Sequence, residues 1–193
     1  MTLEVLGIAG SLRQGSYNRA LLCAAVDLAP DGMRIEVWDR LREIPPYDAD
    51  VEARGDPEPV ADLKRAIASA GALLFVTPEY NYGVPGVLKN ALDWASRPPG
   101  GSPLGGKPAA ILGATPGQTG TARAQLALRQ SFLFTNTPVL LRPEVLVNRA
   151  TEKFDADGNL TDEKTREYVG KLLEALRDWA GRFPPERAGP ETR

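Results

Sequence analysis

The sequence predicts a single α/β domain in which helices cover both faces of a parallel β-sheet. Five short apolar segments alternate with five segments of helical period along the 193 residues. The chain contains no internal repeat and no linker long enough to separate two domains, and its hydrophobic fraction of 42% supplies one sizeable core. We therefore expect one three-layer domain over residues 1–183 and a disordered polar tail over 184–193. The pattern by itself leaves two strand orders open, 2-1-3-4-5 and 3-2-1-4-5.

A βαβ unit opens the chain. Residues 3–9 form an apolar run that predicts the first strand, and residues 33–38 alternate in polarity and predict the second. The only cysteine, Cys23, lies in the intervening helix and is predicted to be a small core residue. The apolar side of this helix consists of Leu21, Leu22, Ala25, Val26 and Leu28.

The remaining strands are short apolar runs. Residues 72–76 predict a buried third strand, and residues 109–112 predict the core of a fourth. The fifth strand is predicted in two pieces, 139–141 and 144–147, because Pro143 lacks the N–H group that a sheet ladder needs.

Four further helices are predicted from apolar residues at helical spacing. Pro85 suits the first position of one of them, because a missing N–H group costs nothing there. Thr161 is expected to cap the last helix, after a short hairpin turn over 154–160. The apolar positions are Val60, Leu63 and Ile67 in a helix over about 58–70; Leu88, Ala91, Leu92 and Ala95 after Pro85; Leu126, Phe132 and Leu133 in a helix over about 121–134; and Val169, Leu172, Leu173, Leu176, Trp179 and Phe183 in the last helix.

The composition excludes several classes of function. The chain has no histidine, which rules out Ser-His-Asp and Cys-His catalysis and histidine metal sites. A single cysteine rules out an internal disulfide. The net charge of −2 comes without a basic stripe, so we expect no nucleic-acid partner. The sequence has no secretory signal and no apolar stretch of membrane length, so we expect a cytoplasmic protein with no membrane partner.

The loop over 10–19 has the composition of a phosphate site. It joins the first strand to the first helix, and the N–H groups and positive end of a helix N-terminus favour an anion. Arg13 can add a charge-assisted contact, and Ser11, Ser16 and Asn18 can donate hydrogen bonds. The alternative is a helix capped by Ser16 or Asn18, with solvent-exposed arginines. The order of strand, loop and helix favours the phosphate site.

Two more loops carry functional groups after predicted strands. The loop over 77–86 brings together Glu79, Tyr80, Asn81 and Tyr82, and the loop over 115–120 is rich in Gly and Thr. Ligands of open α/β sheets bind beyond the carboxyl ends of the strands, where these loops would meet. A phosphorylated ligand with a flat, hydrogen-bonding ring system, such as FMN, fits this arrangement.

These motifs resemble those of the NADPH-dependent FMN reductase family, which includes bacterial quinone, chromate and azo-dye reductases of flavodoxin-like fold. The phosphate loop is matched by Gly10-Ser11-Leu12-Arg13-x-x-Ser16-x-Asn18-Arg19. The flavin-ring loop is matched by Pro78-Glu79-Tyr80-Asn81-x-Gly83-x-Pro85-Gly86-x-Leu88-Lys89-Asn90-Ala91-x-Asp93-Trp94. The stretch over 115–125 resembles the third loop, although Thr115 and Thr119 stand where the family has Ser and Gly. The resemblance covers about residues 3–180.

The resemblance implies the strand order 2-1-3-4-5, non-covalently bound FMN, and a site assigned residue by residue. Family members are dimers or tetramers with flavin sites near the subunit interface. Asp93, Trp94, Arg123 and Arg129 are therefore interface candidates, with core and solvated surface as the alternative. Glu79 is expected to fix its loop, with no acid–base role. The implied FMN-binding residues are Ser11, Arg13, Ser16 and Asn18 at the phosphate, Pro78, Glu79, Tyr80 and Asn81 at the ring, and Thr115, Pro116 and Gly117 on the other side of the ring.

The implied function is that of an FMN-containing NAD(P)H-dependent oxidoreductase. Hydride passes from the nicotinamide to flavin N5 and then to a quinone, metal-ion, azo or free-flavin acceptor by a ping-pong mechanism. Two alternatives are a flavodoxin-like electron carrier and an FMN reductase that supplies reduced flavin to a monooxygenase; a flavin-free interaction protein is a more distant third. The sequence leaves open the acceptor, the choice between NADPH and NADH, flavin retention or exchange, and dimer or tetramer.

Overall fold

The structure is a computed structural model that describes residues 2–183. The predicted tail over 184–193 lies outside the described residues. Five parallel strands form one sheet in the order β2-β1-β3-β4-β5, which confirms the order implied by the family resemblance. The strands are β1 (Leu3–Ala9), β2 (Met33–Trp38), β3 (Ala72–Val76), β4 (Ala109–Ala114) and β5 (Val145–Val147).

Helices cover both faces of this sheet. The long connection after β2 forms a 3₁₀ turn over Arg40–Glu43 and a single-turn helix, and another 3₁₀ turn follows β5 over Ala150–Glu152. The helices are α1 (Tyr17–Asp27), α2 (Ala49–Glu52), α3 (Glu58–Ser69), α4 (Gly86–Ala95), α5 (Ala122–Phe134) and α6 (Glu163–Ala180). The predicted elements are therefore present, with bounds that differ by one or two residues at most helix ends.

Each face of the sheet has its own apolar core, because successive strand residues point to opposite sides. On one face, Leu74 packs in a cluster with residues of α1 and α6, including Leu22 and Leu173. On the other face, Leu73 and Phe75 pack with residues of α3, α4 and α5. The strands β3 and β4 are buried along their whole length, as a parallel sheet covered on both faces requires.

The fifth strand is short and interrupted, as predicted. Val139 forms an isolated parallel bridge with Ala109, and the ladder with β4 resumes only at Val145. The peptide bond between Arg142 and Pro143 is cis and lies between the two pieces. The predicted hairpin turn is also present, closed by an antiparallel bridge between Phe154 and Leu160.

Three local predictions are wrong. Cys23 is exposed, because it lies on the solvent side of α1 while its neighbours Leu22 and Ala24 are buried. Val26 is likewise exposed on α1. Thr161 does not cap α6, because its hydroxyl donates to the carbonyl of Lys153 at the base of the hairpin. The cap is the next residue, Asp162, whose carboxylate accepts from the N–H of Thr165 at 2.9 Å.

The four interface candidates have different partners within the chain. Trp94 is fully buried, and its indole N–H donates to the carbonyl of Pro45 at 2.9 Å, so Trp94 is a core residue. Arg129 donates to the carbonyl of Leu140, and Asp93 pairs with Lys89 on the surface of α4. Arg123 contacts another loop of the chain, as described below.

The outer face of α5 is apolar and exposed. Leu126, Leu133 and Phe134 are 60%, 82% and 78% exposed, although the same helix buries Leu128 and Phe132 against the sheet. Over residues 2–183, none of the helices combines the length and the apolar character that a membrane crossing would need.

Candidate functional site

The loop between β1 and α1 presents a series of backbone donors with no acceptor from the chain. Ser16 caps α1 by accepting from the N–H of Asn18 at 3.2 Å. Within residues 2–183, the N–H groups of Gln14, Gly15 and Ser16 have no hydrogen-bond acceptor. The first turn of α1 contains no acidic residue. The loop therefore combines free N–H groups with the positive end of a helix, which is the chemistry of an anion site.

The polar side chains of this loop differ in burial. Ser11 is buried, and its hydroxyl accepts weakly from the N–H of Arg13 at 3.4 Å. Arg13 is exposed, and over residues 2–183 it has no carboxylate within ion-pair distance. Arg42, from the 3₁₀ turn after β2, donates to the carbonyl of Leu12 at 2.9 Å and braces the loop.

Asn18 has a role that the sequence did not predict. Its amide nitrogen donates to the carbonyl of Ala114 at 2.9 Å, and its amide oxygen accepts from the N–H of Ala114, also at 2.9 Å. The side chain is buried, so this two-way bridge ties the start of α1 to the end of β4. Asn18 therefore ties the start of α1 to β4 through one N–H and the oxygen of its amide, and its second amide N–H has no acceptor within residues 2–183.

The loop after β3 turns back on itself with a left-handed backbone. Tyr80 and Gly83 exchange backbone hydrogen bonds, and the two residues between them, Asn81 and Tyr82, have φ angles of 49° and 66°. Positive φ at both central residues is the geometry of a type I′ turn. Asn adopts this left-handed backbone readily, whereas Tyr adopts it only with strain. The ring of Tyr82 is 71% exposed, whereas Pro78 at the start of the loop is buried.

Glu79 fixes this loop to the start of α5. Its carboxylate accepts from the N–H groups of Arg123 and Ala124 at 2.9 and 3.2 Å and from the guanidinium of Arg123 at 2.5 Å. Burial alone would raise the pKa of Glu79, but the hydrogen bonds from Arg123 and Ala124 outweigh it and lower the pKa. The same guanidinium lies 3.8 Å from the ring centre of Tyr82. A carboxylate held in this way cannot act as a general acid near neutral pH.

The loop after β4 is held by backbone hydrogen bonds to the end of β5 and the residues that follow it. The N–H of Thr115 donates to the carbonyl of Val147, and the carbonyl of Gly117 accepts from the N–H of Arg149. Gly120 has a φ of 60°, and a Cβ atom there would lie 2.5 Å from the carbonyl carbon of Leu146. Glycine is therefore required at this position, which is the one Gly retained from the family's Gly-Gly pair. Pro116 and Gly117 are exposed at the same edge of the sheet.

A cavity of about 730 Å³ lies between the first two loops. Arg13 and Tyr80 are the only two of the predicted site residues that line it. The other predicted residues lie at the same edge of the sheet, because their loops follow the neighbouring parallel strands β1, β3 and β4. The cavity is lined by Leu12, Arg13, Gln14, Gly15, Arg42, Tyr80, Pro85, Gly86 and Val87.

Sequence analysis missed one residue of the site and gave another a different role, and two motif residues have a different use. Arg42 lies in the connection after β2, where no local pattern marks it, and Arg123, named above as an interface candidate, pairs with Glu79. Asn90, from the matched ring-loop motif, donates to the carbonyl of Pro45 and accepts from the N–H of Tyr47, both at 2.8 Å. Asn90 and Trp94 together hold the connection after β2 against α4. This part of the motif therefore stabilises the fold.

The sequence matches known proteins over nearly its whole length. The model of the NADPH-dependent FMN reductase family matches residues 3–152. An NAD(P)H-dependent FMN reductase from Pseudomonas aeruginosa is 53% identical over 181 residues, which are 94% of this chain and 97% of that protein. A 2-hydroxy-1,4-benzoquinone reductase from Burkholderia sp. is 41% identical over 179 residues, which are 93% of this chain and 97% of that protein.

A solved structure of similar sequence has the same fold. It is FerB, a flavoenzyme NAD(P)H:(acceptor) oxidoreductase from Paracoccus denitrificans, and it superposes with a TM-score of 0.86 at 37% identity. The similarity covers 94% of this chain and 99% of that one.

Proposed function

This chain belongs to the NADPH-dependent FMN reductase family, and we propose that its two substrates react in turn at one open site on the C-terminal edge of the sheet. The chain is an NAD(P)H-dependent oxidoreductase with FMN as its cofactor. Residues 1–183 serve as one FMN-binding domain in this proposal, because a single sheet carries every loop of the site.

The chemistry of the first loop fits the FMN phosphate, and this observation carries the proposal. A dianionic phosphate needs several donors at once, and the free N–H groups of Gln14, Gly15 and Ser16 stand at the start of a capped helix. We assign Ser11, Arg13 and Ser16 to the phosphate. Asn18 is assigned to holding this loop against β4.

The other two loops fit the flavin ring. The N–H groups of Glu79 and Asn81 have no acceptor within residues 2–183 and can donate to the ring edge. We assign Pro78, Glu79, Tyr80 and Asn81 to one border of the ring, largely through backbone, and Thr115, Pro116 and Gly117 to the other. These fixed dipoles favour the negative charge that accumulates on a reduced ring.

FMN, when bound, would supply the redox chemistry between the nicotinamide and the acceptor. The chain would contribute position, orientation and the fixed N–H dipoles of its loops. No residue is assigned an acid–base role, because the chain has no histidine and the carboxylate of Glu79 is committed to Arg123 and Ala124. Donor and acceptor use the same open face one after the other, which is a ping-pong order.

Quinones are the acceptor class that we favour. Relatives named quinone reductase include the one from Burkholderia sp. and one from Pseudomonas putida that is 40% identical over 176 residues. The exposed rings of Tyr80 and Tyr82 offer flat surfaces for such acceptors. Supply of reduced free FMN is the second candidate, and the FMN reductase from Pseudomonas aeruginosa favours it.

We also propose that the protein is a homodimer or homotetramer. The exposed apolar side chains of Leu126, Leu133 and Phe134 on α5 support self-association through this helix. The protein is assigned to the cytoplasm, because NAD(P)H is its reductant.

The test is an anaerobic absorbance spectrum of the purified protein before and after addition of NADPH or NADH. We expect a flavin spectrum that bleaches directly to the two-electron reduced form and returns when a quinone is added. A flavin that neither nucleotide reduces would indicate an electron carrier. A protein that neither contains nor takes up FMN would overturn the site assignment. Retention of flavin through gel filtration separates a quinone reductase from an enzyme that releases reduced FMN.

A further inference from the structure

The cavity between the first two loops carries positive charge without a balancing acid. Arg13 and Arg42 line it, and its lining includes no Asp or Glu. Tyr80, 48% exposed, contributes an aromatic ring, and Pro85 and Val87 contribute apolar surface. Arg13 is assigned above to the FMN phosphate, so Arg42 is the lining guanidinium that remains for a second anion beside the ring of Tyr80.

Arg42 differs from Arg40, which lies in the same 3₁₀ turn. Arg40 pairs with three carboxylates, those of Glu43, Glu58 and Asp62, at 2.7, 2.6 and 3.1 Å. Within residues 2–183, Arg42 has no carboxylate within ion-pair distance. Its only side-chain hydrogen bond in that range goes to the carbonyl of Leu12. A guanidinium has five N–H donors, so one such bond leaves most of the group available to a ligand.

We propose that Arg42 binds a phosphate group of the nicotinamide dinucleotide and sets the affinity for this substrate. The inference rests on the proposed function, since it concerns the reductant of that same site. Arg13 and Tyr80, which line the same cavity, belong to the loops assigned to FMN, so a dinucleotide bound there would lie next to the proposed flavin site. Two parts of the dinucleotide have the required chemistry: the pyrophosphate, which all forms share, and the 2′-phosphate, which NADPH and NADP⁺ carry and NADH and NAD⁺ lack.

The test measures binding without turnover. The protein is saturated with FMN and titrated with NADP⁺ and separately with NAD⁺ by isothermal calorimetry. The variants are Arg42→Ala, Arg42→Gln, which keeps a side-chain donor for the carbonyl of Leu12, and Arg54→Ala as the matched control. Arg54 is another exposed arginine of the same connection; it does not line the cavity and has no ion pair within residues 2–183.

We expect NADP⁺ to bind about tenfold more weakly to both Arg42 variants than to the wild type, as for loss of one charge-assisted phosphate contact. A loss confined to NADP⁺ identifies the 2′-phosphate, and an equal loss for NAD⁺ identifies the pyrophosphate. Added salt is expected to weaken the wild type more than Arg42→Gln. Arg54→Ala is expected to bind like the wild type.

Unchanged NADP⁺ affinity in Arg42→Gln would overturn the inference, and so would an equal loss in Arg54→Ala. Reduction of bound flavin by NADPH is measured in the wild type alongside the titrations. If the wild type is reduced while Arg42→Gln binds NADP⁺ normally, this inference fails and the proposed function stands. If the wild type contains no flavin, or if NADPH does not reduce it, the proposed function itself fails.

Discussion

Two cross-links join the loops of the site, and they are built from opposite chemistry. Asn18 bridges α1 to the end of β4 through two neutral hydrogen bonds in a fully buried position. Glu79 bridges the loop after β3 to the start of α5 through a carboxylate whose partner, the side chain of Arg123, is 41% exposed. The two links flank the β4–α5 connection, one at the last residue of β4 and the other in the first turn of α5.

The comparison shows what each kind of link provides. A buried amide that satisfies one N–H and one C=O group is insensitive to pH and salt, but its loss leaves two buried backbone groups without partners. A partly exposed carboxylate–guanidinium link is weaker, screened by salt and dependent on pH. The loop after β1 is thus held by a link that pH and salt leave unchanged, and the loop after β3 is held by a link that solution conditions can weaken.

The largest effect is expected from the buried link. Asn18→Ala should lower the free energy of unfolding by about 2–4 kcal/mol, because Ala114 loses both of its side-chain partners. Urea denaturation measures this loss, and FMN titration should show weaker binding as the first loop separates from β4. Asn148→Ala removes a half-buried amide that donates to the carbonyl of Gln118 and accepts from Lys153, both at 3.3 Å, and it should change stability by less than about 1 kcal/mol. Equal effects of the two variants would contradict a special role for Asn18.

The charged link should have a smaller effect that depends on pH. The pKa of Glu79 is lower in the folded protein than its ordinary value of 4.5, so the stabilisation is complete above 4.5 and is lost as the pH falls through the folded-state value. We expect Glu79→Gln to lower the free energy of unfolding by about 1–2 kcal/mol at neutral pH. The difference from the wild type should shrink as the pH falls below 4.5. Urea denaturation across this range measures it, and a difference independent of pH would show that the charge of Glu79 contributes nothing.

The smallest effect is expected at Tyr82, which packs on the exposed end of the charged link. Tyr82→Ala loses the contact with Arg123 and keeps the left-handed backbone, so stability should fall by about 0.5–1 kcal/mol. Tyr82→Gly loses the same contact but removes the backbone strain, so it should remain within about 0.5 kcal/mol of the wild type. Thermal unfolding of the two variants isolates the strain. If Gly were no more stable than Ala, the φ of 66° would not be costly.

Much of the fold follows from local sequence. The five strands and the longer helices were predicted at nearly their observed bounds, because apolar periodicity reflects which side of each element faces the core. The prediction for Cys23 failed because its neighbours Leu22 and Ala24 are equally suited to the core, and the packing of α1 buries those two instead. The prediction for Thr161 failed because Asp162 is an equally good helix cap, and the hydroxyl of Thr161 bonds to the hairpin. The exposed side chains of Leu126 and Leu133 on α5 cannot be distinguished from core residues by composition alone.

The loops of the candidate site could be predicted from local sequence, because Gly10 to Asn18 and Pro78 to Asn81 are contiguous motifs whose donors come mostly from one stretch of backbone. How those loops are held could not be predicted, because it depends on contacts between distant segments. Asn18 meets Ala114 across 96 residues, Glu79 meets Arg123 across 44, and Arg42 meets Leu12 across 30. Such contacts depend on strand order and on the length of each connection. A side chain's partner at this distance is set by the packing of the whole sheet, which no local pattern encodes.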